Sequence, residues 1–240
     1  PRAPLAVAQN PVKRFWKQAE AVREDGGWGI ALDGRPVRTP KRAPLVVESP
    51  ALAEAIAGEW NAVGENIDPA RMPLTGIANA AIDIAGADPA GFAEPIAAYA
   101  TSELFCYRED RDPALQSEQI AAWNPLLAWA EQRYGIEFCL AEGVLPIDQP
   151  DATIAALRDA VLSHDPFRLA PLTLLVTIGG SLVAGLALIE NAYTAAELWD
   201  AVSLDELYQE RRWGADSEAQ KTRARREADW HNAARFLSLL

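Results

Sequence analysis

Apolar and polar positions alternate along residues 13–47, in short runs separated by turn signals. KRFWKQAEAV reads as an imperfect strand, Gly26-Gly27 as a turn and WGIAL as a second alternating run. Asp33-Gly34 is a hairpin dipeptide, and RPVRTP follows it. Pro36 and Pro40 confine that piece to a short or edge strand, because proline has no N–H for a ladder. Leu45-Val46-Val47 adds one more short strand. The period then changes. Ser49 and Pro50 are cap and first-turn residues of a helix whose stripe is Leu52, Ile56, Trp60 and Val63. Gly64 to Pro73 reads as a connection, and a second helix is expected over 74–85.

Asp88-Pro89 marks the expected domain boundary, giving 1–87 as a β-rich unit with one or two helices and 88–240 as a helical unit. The fold class expected is α+β, a small β-rich N-terminal domain before a larger, mainly α-helical one. In the second part, helices are expected over 90–102, 114–134 and 150–163. The middle one carries Ile120, Trp123, Leu127 and Ala130 and ends at Gly135. LFCYR is a short apolar run of open type, and IEFCL an extended stretch. Between Arg168 and Glu190 no residue is charged, which is long enough to cross a bilayer. Gly179-Gly180-Ser181 interrupts that run, so a buried core helix broken near Gly180 is the favoured reading. Thr177, Ser181 and Gly185 recur every four residues as a small-residue stripe for close helix contact.

Thr194 with Glu197, and Ser203 with Glu206, fit capping boxes for two short helices. Asp216 or Ser217 starts the last helix, which is charged in its middle and apolar from Phe236 to Leu240. The second short helix, SLDELYQERRWG, is two-faced: Leu204, Leu207, Tyr208 and Arg211 on one side, Glu206, Glu210 and Trp213 on the other. A helix with a large aromatic on its polar side is either covered twice or offers that side to a partner.

Composition narrows the function. A net charge of −12 over 240 residues argues against general nucleic-acid or anionic-membrane binding, since both need a basic footprint. Cys106 and Cys139 lie far apart among apolar residues and read as buried free thiols of a reducing compartment. PRAPLAVAQNPVKRFW has no apolar run of signal-peptide length and reads as a flexible lead-in.

Catalytic signals are sparse. There is no phosphate loop, and Gly26, Gly27 and Gly29 sit in a hairpin with no helix after them. Ser181 lacks a nucleophile elbow. His164 reads as a helix terminator and His231 as a surface or packed residue, with no metal-ligand spacing around either. Glu206 and Glu210 are one turn apart and form the one candidate acid–base pair. Against that stand a capping role for Glu206 and a solvated one for Glu210 near Arg211 and Arg212. Eight tryptophans tilt the reading towards binding. Trp60 and Trp123 fall on apolar stripes, whereas Trp16, Trp28 and Trp213 are less clearly inward.

RFWK at 14–17, LDGRPVRTP at 32–40, EW at 59–60 and MPLT at 72–75 are followed by YATSELFCYR at 99–108. WNPLLAWA at 123–130, GGSLV at 179–183 and YQERRWG at 208–214 complete the series. In this order they resemble the family of assembly chaperones for the catalytic head of F-type ATP synthase, the members that bind its alpha subunit. The resemblance runs from about Arg14 to Phe236. It implies a non-enzymatic chaperone; a monomer without cofactors is expected. Its client would be the unassembled alpha subunit, shielded from aggregation until a beta subunit replaces the chaperone. It also implies a bacterial cytoplasmic protein, or a matrix protein if mitochondrial, and a functional acidic position at Glu206. With Glu206, the client-binding candidates are Glu210, Trp213, Trp16 and Trp28. Gly179 departs from the serine or similar small residue expected there.

Overall fold

The computed structural model describes residues 12–143 and 145–240, so the lead-in before residue 12 lies outside the described residues. The chain divides into two compact units, one ending at Gly76 and one from Ile77 to Leu240. A small sheet region precedes a mostly helical region, which is the α+β class expected.

In the first unit, β1 (Ala19–Glu24), β2 (Gly27–Leu32), β3 (Arg35–Pro36) and β4 (Val46–Val47) form one antiparallel sheet. β2 is its centre, paired with β1 on one side and with β3 and β4 on the other. The hairpin dipeptide does what its residue types allow: Asp33 and Gly34 both take positive φ, 48° and 79°, as a tight primed turn requires. The Asp33 carboxylate also accepts the backbone N–H groups of Lys17 and Gln18 at 2.9 Å each, pinning the strand entrance. Those bonds hold its carboxyl below the usual range.

Helix α1 (Pro50–Asn61) is capped by Ser49 Oγ, which accepts from Leu52 N at 3.3 Å. Its buried Leu52 and Ile56 join Ile30, Leu45 and Val47 in the unit's core. Helix α2 (Pro73–Ala80) follows, and its run continues as one π-helical segment, Ala81–Ala85. The first-turn N–H groups of Leu74 and Thr75 are taken by the Glu59 carboxylate at 2.7 and 2.8 Å.

The second unit holds α3 (Pro89–Ala97), α4 (Pro113–Tyr134), α5 (Asp151–Leu162), α6 (Pro166–Gly179) and α7 (Leu182–Ile189). α8 (Ala195–Val202), α9 (Leu204–Trp213) and α10 (Ser217–Ser238) complete it. LFCYR resolves into a 3-10 turn and β5 (Tyr107–Arg108), which pairs in parallel with β6 (Ala141–Glu142). IEFCL itself forms no strand. Leu157, Val161, Leu169, Leu172, Val176, Leu182 and Leu186 centre the core. Ile120, placed on the apolar stripe of α4 by its spacing, is 46% exposed.

The uncharged segment is broken where expected, with Gly180 at φ 69° ending α6 before α7 begins. Among the described residues no helix is long and apolar enough to cross a membrane. The break also undoes the expected small-residue stripe. Thr177 is exposed and Ser181 caps α7, accepting from Ala184 N at 3.0 Å, so neither shares a helix face with Gly185. Gly185 does make a close contact: a Cβ there would come within 2.7 Å of Leu172 Cδ1. Gly179 has its own reason, since a Cβ at that position would meet the Trp230 ring at 2.9 Å.

The first turn of α7 has a second acceptor. Glu103 is fully buried, and its carboxylate accepts from Leu182 N at 2.8 Å, Val183 N at 3.1 Å and Phe105 N at 3.3 Å. Burial pushes its carboxyl up despite these bonds. Cys106 beside it is buried and free, its thiol pushed up by burial, while Cys139 is only half-buried.

Candidate functional site

The α8–α9 corner shows why α9 stands as it does. Thr194 and Glu197 make the expected capping box at the start of α8. Ser203 and Glu206 do not. Ser203 N still donates to Trp199 O at 3.0 Å, closing the last turn of α8, and its φ and ψ of −97° and 1° are not those of an extended cap. Its Oγ therefore makes no cap bond to the first turn of α9 and has no hydrogen-bond partner among the described residues. Glu206, released from capping, reaches the Arg226 guanidinium on α10.

The expected two faces of α9 are real. Leu204 and Tyr208 are buried, Leu207 is half-buried, and the Tyr208 hydroxyl donates to Asp112 Oδ2 at 2.8 Å. Asp205 accepts from Gln119 Nε2 at 2.9 Å, and burial raises its carboxyl. The other face lines a groove of about 660 Å³ against α10, bordered by Glu206, Glu210, Trp213, Thr222, Arg223 and Arg226. Glu210 pairs with Arg223 and accepts from Gln220, which together hold its carboxyl below the usual range. Arg226 also donates to Ile178 O at 3.2 Å and lies over the Trp199 ring at 5.9 Å.

An acid–base pair needs at least one carboxyl raised by burial. Glu210 is shifted the other way and Glu206 faces a guanidinium, so the geometry gives this pair no poised acid. Nor does Glu210 sit against Arg211 and Arg212 as its sequence neighbours imply; its cation comes from α10.

Trp213, at the end of α9, is 75% exposed with the Arg212 guanidinium 5.6 Å from its ring centre. It is the largest side chain on this face and lies at the groove edge, mostly in solvent. Trp16 and Trp28 belong to the other unit. Trp16 is 4% exposed and donates its indole N–H to Trp60 O at 3.2 Å, so it is a core residue rather than an outward anchor. Phe15 beside it, passed over in the sequence, is the exposed ring at 67%. Trp28 is half-buried beneath the guanidinium of its cross-strand partner Arg23.

The model of the family described as ATP12 chaperone protein matches residues 13–131. The crystal structure of Atp12 from Paracoccus denitrificans superposes with a TM-score of 0.90 at 40% identity, covering 95% of this chain and 98% of that one. The chain belongs to the ATP12 chaperone family. The Atu1473 protein of Agrobacterium tumefaciens matches with a TM-score of 0.89 at 38% identity, over 95% of this chain and 85% of that one. The mitochondrial protein atp12 of Schizosaccharomyces pombe is 23% identical over 232 residues, 92% of this chain and 80% of its own. The resemblance to chaperones of ATP synthase assembly therefore holds.

Proposed function

We propose that this protein binds the unassembled alpha subunit of F-type ATP synthase, prevents its aggregation and hands it on for assembly of the catalytic head. It does so as a monomer, without cofactor or catalysis, in the bacterial cytoplasm or, in a mitochondrial setting, the matrix. Trp213 is the observation that carries the reading. A tryptophan left 75% exposed beside a groove is the kind of anchor reversible interfaces use. A lone alpha subunit exposes an apolar face that is otherwise covered by beta, and large exposed apolar patches associate indiscriminately. A cover needs only to be displaced by a better one. The ion pairs Glu206–Arg226 and Glu210–Arg223 brace the groove beneath the anchor. The net charge of −12 keeps covered complexes apart.

Co-expression with the alpha and beta subunits of one source tests this. A complex of this protein with alpha, lost as beta is added, is the expected result; absence of any complex with alpha overturns it.

A further inference from the structure

The opposite face of α9 borders a second trough, of about 610 Å³, between α4, α8 and α9. Its floor is apolar, with Ala122, Pro125 and Leu126 of α4 meeting Leu204 and Leu207 of α9.

The rim is acidic. Glu118, Glu197 and Asp200 stand around it, and the one cation among the lining residues, Arg211, is ion-paired to Glu118. Glu197 is held ionised by its bonds to Thr194, with its carboxyl below the usual range. Asp200 is exposed, and among the described residues no cation pairs with it. The α9–α10 groove differs, because there Glu206 and Glu210 each hold a guanidinium. Asp200 and Glu197 thus stand over an apolar floor with no paired cation among the described residues.

We propose that this trough docks a basic amphipathic helix of another polypeptide. A helix laid in a groove places apolar residues of one face on the floor and sends its flanking side chains to the rim. Lysine or arginine at those flanks meets Asp200 and Glu197, and an acidic helix would be repelled. The proposal stands whether or not the client is the alpha subunit, since it concerns a different face of α9 from the Trp213 groove.

The test uses the full chain and two fluorescent peptides of one amphipathic design, with leucines along one face and either lysines or glutamates at the flanks. The lysine peptide is expected to bind saturably at one site, more weakly as salt rises, since charges screen over about 8 Å at physiological ionic strength. Asp200→Lys is expected to weaken it about tenfold, the size of one lost anchor contact. Asp159→Lys, an exposed change on α5, is expected to leave it unchanged. Equal binding of the two peptides, no saturable binding, or indifference to Asp200→Lys overturns the proposal. So does self-association of the chain that Asp200→Lys abolishes, which would make a second copy the occupant.

Discussion

The Glu206 carboxylate on α9 and the Arg226 guanidinium on α10 are ion-paired, and the same guanidinium donates to the Ile178 carbonyl at the end of α6. One cation thus joins three helices, with Trp199 of α8 beneath it. The carboxylate that the resemblance marks as functional is therefore a brace for the groove wall and not a cap for its own helix. Without Glu206, Arg226 would keep its bond to Ile178 O and its place over Trp199 but lose its carboxylate partner.

Glu206→Lys would set an ammonium against Arg226. We expect alpha-subunit capture in a pull-down to fall at least about tenfold, the scale of a hot-spot loss. The pair is half exposed, so its stability cost should stay below about 1 kcal/mol. Matching far-ultraviolet circular dichroism and a nearly unchanged melting temperature would show the effect to be on binding.

Trp213→Ala removes a ring that the core does not use. Stability should move by no more than about 0.5 kcal/mol, as for other surface changes. Capture of alpha should again fall about tenfold or more. Unchanged capture would place the contact elsewhere and leave Trp213 without a function.

How far the sequence carried the structure depends on what each motif does. The hairpin at Asp33-Gly34, the caps at Ser49 and Asp216 and the break at Gly180 were legible because turn and cap chemistry is local. Several motifs that carry the resemblance prove to be halves of long-range clamps. Asp33 of LDG holds the backbone after RFW, Glu59 of EW holds Leu74 and Thr75 of MPLT, and Glu103 of SELF holds Leu182 and Val183 of GGSLV. No spacing rule reveals such pairs, since their partners come from distant segments. For the same reason the cations that neutralise Glu206 and Glu210 were missed: α10 supplies them. Trp16 reads as less clearly inward than it is, and Phe15 is passed over, because this stretch has no clean period to say which ring points inward.

Gly179 illustrates a constraint visible only in three dimensions. Gly179→Ala, or the serine that the resemblance favours, would push a Cβ against Trp230, whose indole is tied to Ala195 O at 2.9 Å and cannot easily give way. Overpacking of this kind costs about 1–3 kcal/mol. For a chain of this size each kcal/mol lowers the melting temperature by roughly 2–4 °C, which differential scanning calorimetry would read.

Glu210 and Glu103 should respond to pH with opposite signs. Glu210 is held below the ordinary glutamate value of about 4.3. Its contribution is therefore present above that value and is lost as pH falls through the lower folded one. The gap in melting temperature between wild type and Glu210→Gln should be open at neutral pH and close under acid.

Glu103 is pushed up by burial, so its contribution is complete below about pH 4.3 and declines as pH rises through the higher folded value. Glu103→Gln does not titrate, and it turns an amide NH₂ towards backbone N–H groups that need an acceptor. We expect the variant to be less stable than wild type by about 1–3 kcal/mol near pH 5, the cost of leaving a buried donor unpaired. That gap should narrow as the pH is raised, because burial disfavours the ionised carboxylate of wild type. Thermal melts of both proteins over a rising pH series decide the matter. A gap that widens with pH would mean that the three backbone N–H groups on Glu103 outweigh its burial, and that the α7 cap works as a carboxylate throughout.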